Sequence, residues 1–191
     1  MPYARFVRNL LLWLLPVYLL WWALTPLYNR FLVASAENLL HLAERPDVTE
    51  LVPAARDEGY YLILRKDFPP ARRQVYSLRV DDVHATILLL LATMFLAVPD
   101  VPWRRRLGNL GWALLIAVFF HIALVFFWVK FAYATQLGSW SLEHYGAFAR
   151  NFFGLGKHLL DLPFKLAFPL ALWAGFYYRL LVPAAAERAA A

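Results

Sequence analysis

The chain has 191 residues, 62% of them hydrophobic, and a mean hydropathy of +0.51. Soluble domains lie nearer half apolar, and one short core cannot bury the surplus, so composition excludes an ordinary soluble domain and points to a bilayer. The formal charge of +6 mostly flanks apolar runs, which favours lipid headgroups over nucleic acid, and the lack of cysteine excludes thiol catalysis, disulfides and thiolate metal sites.

Residues 1–29 read as an N-terminus and a first transmembrane helix. The apolar run is Leu10 to Leu27, interrupted by Pro16, Thr25 and Pro26. Leu10 to Tyr28 would rise roughly 28 Å as a helix, enough to cross the hydrocarbon core. Arg5 and Arg8 before it predict a cytoplasmic N-terminus, and Tyr18, Trp21, Trp22 and Tyr28 mark the far interface. Ala34-Ser35-Ala36 matches a signal-cleavage pattern but lies too far beyond the apolar run, so an uncleaved anchor is expected.

Residues 30–82 read as an extracytoplasmic region. Arg30 to Glu44 predicts a separate amphipathic helix, with Leu32, Ala36, Leu39, Leu40 and Ala43 on one face. Tyr60–Arg65 and Gln74–Val80 predict a β-hairpin, and Val48–Val52 adds a third short strand. In the first strand Tyr60, Leu62 and Leu64 would share a face, and in the second Tyr76, Leu78 and Val80 would do the same. Its connection, Lys66 to Arg73, contains Pro69-Pro70 and is a loop.

Residues 83–135 carry the second and third spans, Val83–Val98 and Leu107–Val129. Arg104, Arg105 and Arg106 in the short loop between them place that loop in the cytoplasm. Residues 136–162 read as an outer interfacial segment containing Leu142, Tyr145, Phe148, Phe152 and Phe153, with a helix break at Gly154-Leu155-Gly156. Residues 163–191 give a fourth span, Pro163–Val182, and a cytoplasmic Ala-rich tail. The expected fold is mainly α: a polytopic protein of four transmembrane helices, with a small extracytoplasmic β-hairpin and amphipathic helix between the first two.

Few polar side chains are placed to do chemistry. His121 stands alone in the third span, and its plainer role is a neutral imidazole bonded to a neighbour such as Thr93. Asp81, Asp82 and His84 at the mouth of the second span have the composition of an acid–base or metal group, although Asp at a helix start more simply caps free N–H groups. Glu143 and His144, with His158 and Asp161, form a looser cluster on the same side. Arg65, Lys66, Arg72 and Arg73 around the hairpin, and Arg104 to Arg106 opposite, suit lipid phosphates. No HExxH, GxSxG or phosphate-cradling glycine loop is present, and no cofactor is implied.

The segment Trp21-Trp22-Ala23-Leu24-Thr25-Pro26-Leu27-Tyr28-Asn29 leads into the Ala/Leu-rich stretch Ala36–Glu44. This motif, with the size and span layout, resembles the small membrane proteins associated with exosortase H systems of Gram-negative bacteria. Exosortases themselves use a catalytic Cys, Arg and His, and this chain has no Cys. The resemblance therefore implies a non-enzymatic accessory protein of a sorting or envelope-processing system in the bacterial inner membrane. No functional residues carry over from it. Its partner would be an exosortase-like enzyme or that enzyme's substrate, and Trp21, Trp22, Tyr60, Tyr61 and Tyr76 are the expected contacts, since large aromatics dominate interfaces. The competing expectations are a membrane enzyme or lipid-binding protein acting on a lipid-linked substrate, and a structural four-span protein with a claudin-like layout but no cysteine pair.

Overall fold

The computed structural model describes residues 2–44, 47–55, 59–67 and 74–181. Its elements are α1 (Pro2–Ala43), β1 (Thr49–Pro53), β2 (Tyr60–Arg65), β3 (Gln74–Arg79), α2 (Val80–Ala97), α3 (Trp103–Thr135), α4 (Ser139–His144), α5 (Ala147–Asp161) and α6 (Pro163–Leu181). Pro69-Pro70, Arg72, Arg73 and the Ala-rich tail lie outside the described residues. Among the described residues three helices, α1, α2 and α3, are long and apolar enough to cross a membrane, or up to four if the bent pair α5–α6 counts as one span.

The largest departure from expectation is α1. No break separates a span from an amphipathic helix: 42 residues form one helix, about 63 Å long at 1.5 Å per residue and so roughly twice the hydrocarbon thickness. The segment is rich in Leu and Ala and contains no glycine, so nothing in it offers the left-handed stop of a helix end. Its upper part, beyond the length that the hydrocarbon layer needs, forms a mast that carries the sheet. There Leu32, Val33, Ala36 and Leu40 are at most 4% exposed and pack against the sheet, whereas Leu39 is on the rim.

The sheet is antiparallel in the order β1-β2-β3. Tyr61 pairs with Leu78, and Ile63 lies between Leu51 and Tyr76. The packed face of β2 is therefore Tyr61 and Ile63, and Tyr60, Leu62 and Leu64 alternate with them on the other face. Both faces of Tyr60–Arg65 are apolar, so alternation alone could not choose; the inward residues of β1 and β3 set the register. β3 runs into α2 without a loop, and the Val80 N–H donates to Gly59 O at 2.8 Å. Gly59 has φ +88°, and a Cβ there would strike the Asp81 carboxylate.

At the opposite end, α1 and α3 run side by side from the same starting level. Trp13 stacks on Trp103 at 5.6 Å, and Arg5 pairs with Asp100 at 2.8 Å. The last carbonyls of α2 are closed by other helices: Asn9 donates to Ala97 O and Arg106 to Leu96 O. Arg106 thus fastens the loop, while Arg104 and Arg105 are exposed.

α5 is continuous through Gly154 and Gly156, contrary to the expected break. The glycines allow close approach rather than a stop, because a Cβ at Gly156 would collide with the Phe127 ring of α3. Phe148, Phe152, Leu155 and Leu159 form its exposed apolar stripe, the pattern of a helix lying in an interface. Pro163 opens α6 after a 53° bend. Asp161 sits at that bend between Lys157 (3.3 Å) and Lys165 (3.2 Å).

A buried ionic clamp fixes the sheet to the mast. Lys130 of α3 donates to Glu44 Oε1 at 2.6 Å, and Thr49 Oγ1 donates to Glu44 Oε2 at 2.6 Å. Arg65 lies 4.7 Å from the ring centroids of both Tyr133 and Trp140 and pairs with Asp67 at 2.7 Å. Its side chain is only 11% exposed, so it braces the sheet instead of meeting a lipid phosphate. Lys130 lies inside α3, which continues to Thr135. Lys130→Met leaves a buried carboxylate short of its cation and should lower stability in detergent by about 3 kcal/mol. Glu44→Gln combined with Lys130→Met should restore most of that loss. A single variant that melts with the parent would contradict the clamp.

Candidate functional site

The segment Trp21–Asn29 builds a polar node below the sheet. Trp21, Tyr28 and Asn29 are seven and eight residues apart, so they project from one face of α1 toward α2 and α3. The Trp21 indole N–H donates to His84 Nδ1 at 3.2 Å. That bond leaves the proton of a neutral His84 on Nε2, which donates to Asn29 Oδ1 at 2.7 Å. Asn29 Nδ2 donates in turn to Asp81 Oδ1 at 2.6 Å. The result is one directional chain, Trp21 to His84 to Asn29 to Asp81.

His121 belongs to the same node. Its ring lies 6.2 Å from that of His84, and its Nδ1 is 2.7 Å from the Tyr28 hydroxyl. The expectation of a solitary imidazole leaning on Thr93 is corrected: Tyr28 is the partner, and Thr93 Oγ1 has no hydrogen-bond partner among the described residues. His84 and His121 come together because α2 descends from the sheet beside α3, a neighbourhood that spans 37 positions of sequence.

The Asp81–Asp82–His84 group is divided by this arrangement. Neither aspartate caps α2, whose N-cap is Arg79 without a side-chain cap bond. Asp81 is engaged by Asn29, and His84 is fully buried with both ring nitrogens bonded. Only Asp82 is exposed, 3.7 Å from Arg79. Glu143 and His144 are exposed on α4, where His144 stacks on Trp140 at 4.2 Å and donates to its carbonyl. Among the described residues no hydrogen bond or ion pair joins them to the Asp81–His84 group, and no group of three His, Asp or Glu is placed to hold a metal.

Three hollows surround the node. One of about 510 Å³ runs along β3 from Tyr76 to Arg79 and is closed by Tyr60, Asp82, Trp128, Asp161 and Lys165. A second, about 320 Å³, lies between α1 and the sheet, with Trp21, Trp22, Arg30, Tyr60, Tyr61 and Asp81 on its walls. A third, about 300 Å³, is apolar and descends between α1, α2 and α3; it adjoins the second at Trp21 and Thr25. The five expected aromatic contacts are therefore split between two hollows that share Tyr60. Two of them are also structural: Trp21 spends its N–H on His84, and Tyr61 is 8% exposed in the core. Burial pushes the Tyr61 phenol above its usual range, with Arg30 lowering it and Asp81 raising it. Of the expected headgroup residues on this side, Lys66 is exposed.

Sequence reasoning gave Asn29 no role, read Tyr28 only as an interface marker, and grouped Asp161 with His158 rather than with Lys157 and Lys165. The available signal was a polar Asn one residue after the end of an apolar span, in helical phase with Trp21. No family model, curated protein or solved structure matches the chain.

Asn29→Ala would strand the His84 N–H and the Asp81 carboxylate and should lower stability by about 2 kcal/mol or more. Asn38→Ala, an exposed position on the same helix, should change it by less than about 0.5 kcal/mol. Thermal unfolding in one detergent decides this, and equal melting of the two variants would contradict the node.

Proposed function

We propose that this chain is a non-enzymatic accessory protein of an exosortase-type sorting or envelope-processing system, and that it docks a partner or substrate on its sheet side. On this reading it resides in a bacterial inner membrane, with both termini and the Arg104–Arg106 loop cytoplasmic and the sheet outside. The orientation is supported by Arg5 and the 99–102 loop meeting at one end, with Arg104 to Arg106 beside them. The type of system rests on the Trp21–Asn29 motif. That motif's side chains supply both the node and the wall of a surface hollow, so it is a functional unit of this fold and not only an apolar run.

One observation carries the docking role: a hollow of about 510 Å³ follows the edge of β3. Four consecutive residues, Tyr76, Ser77, Leu78 and Arg79, line it, and β3 is the last strand of the sheet. An edge strand offers a row of backbone donors and acceptors to an incoming extended segment. Arg79, Asp82, Asp161 and Lys165 around it suit a segment carrying both acidic and basic side chains. The acid–base alternative is weaker, because His84 is enclosed and Glu143 and His144 stand apart.

Photo-crosslinking from Ser77 in native membranes should attach a cysteine-bearing polytopic enzyme or its protein substrate. Tyr76→Ala should weaken recovery by about 2 kcal/mol, roughly thirtyfold, while Asp82→Asn leaves any enzymatic phenotype intact. Adducts with lipid alone would overturn the docking role. A phenotype lost in Asp82→Asn but kept in Tyr76→Ala would favour the enzyme.

A further inference from the structure

The second and third hollows form one furrow with a graded wall. At the sheet end it is polar and charged, with Arg30 and Asp81 on its rim beside Trp22 and Tyr60. Below Trp21 and Thr25 it becomes almost wholly apolar, with Leu20, Leu24, Ala92 and Leu114 among its lining. Along α1 it reaches from Arg30 down to Val17, thirteen residues or about 20 Å. It stops about 12 Å short of Asn9, whose amide bonds to Ala97 O at the far end of α2.

That length selects the occupant. A bilayer with its headgroups is about 40–45 Å thick, so one leaflet is about 20–22 Å deep. A transmembrane helix would need a groove across the whole hydrocarbon core; this one has the length of a single leaflet. We infer that the furrow is a binding site for one zwitterionic phospholipid of the sheet-side leaflet. Its phosphate meets Arg30. Its ammonium sits between Asp81 and the faces of Trp22 and Tyr60, and an acyl chain fills the apolar part. Asp81 is what disfavours a purely anionic headgroup, because its carboxylate faces the same space as Arg30. The inference rests on the membrane location of α1–α3 and is independent of the docking role of β3.

The full chain, reconstituted in phosphatidylglycerol vesicles, would be exposed to a trace of phosphatidylethanolamine carrying a diazirine in its acyl chain, and adducts mapped by mass spectrometry. Labelling should concentrate on residues 17–28 and 88–118. Arg30→Gln, at an exposed position, should cut that labelling about tenfold, the loss of one charge-assisted hydrogen bond. Labelling of the exposed Leu166 and Leu170 on α6 should not change. Ala92→Phe, which plugs the apolar part, should have the same effect without touching the rim. A diazirine phosphatidylglycerol should label furrow and α6 alike. Equal furrow labelling by both headgroups, or labelling unchanged in both variants, would mean ordinary annular lipid and would overturn the site.

Discussion

The structure depends on the continuity of α1. One helix, long and apolar enough to cross a membrane, also serves as the support on which the sheet is built. Pro16 and Pro26 lie inside it, and each removes a backbone bond at a cost of about 3 kcal/mol in an isolated helix. The helix survives because it is held at three levels. Arg5 and Asn9 tie its start to the α2–α3 loop. Trp21, Tyr28 and Asn29 tie its middle to two imidazoles. Glu44, one residue past its end, ties its tip to Lys130 and Thr49. A helix so anchored cannot kink at Pro26 without breaking the bonds on either side of it.

The polar node follows from the solvent. In an apolar layer each donor and acceptor needs a protein partner, and here the motif supplies them in sequence. The cost of placing two histidines below the sheet is offset by one indole, one amide and one phenol, all from a single face of α1. The same arrangement removes His84 from chemistry: an imidazole whose lone pair accepts an indole N–H is positioned, not poised to take a proton. What remains open to the outside are the hollows above and beside the node, and their walls are aromatic and charged. These hollows rest on a buried node in which His84 is bonded through both ring nitrogens, while His121 is bonded through Nδ1 alone and its Nε2 has no hydrogen-bond partner among the described residues.

Three of the four apolar helices, the arginine loop and the presence of strands at Tyr60–Arg65 and Gln74–Arg79 were legible, since apolar runs of membrane length and local alternation are properties of adjacent residues; the fourth span was not, because α6 reaches that length only together with α5 across a 53° bend. The continuity of α1 was not, because Thr25-Pro26 and Asn29-Arg30 read as punctuation while the contacts that override them come from residues 52 to 93 positions away. The inward face of β2 was ambiguous because Tyr60 and Tyr61 are the same residue type on opposite faces. Gly154 and Gly156 read as a break because their use, admitting Phe127, lies on another helix. The candidate site was legible as a list of aromatic residues but not as a shape: Trp22, Tyr60 and Tyr76 stay available, Trp21 and Tyr61 are claimed by the core, and Arg65 is locked between Tyr133 and Trp140.

The continuity of α1 can be measured directly, since the chain has no native cysteine to remove. Tyr3 and Leu42 are 83% and 81% exposed near its two ends. Spin labels on cysteines introduced at both, read by pulsed dipolar spectroscopy in bilayers, should lie about 58 Å apart for one unbroken helix. A separation near 40 Å, as for a helix broken at Thr25-Pro26 with its second half lying on the membrane, would contradict the account.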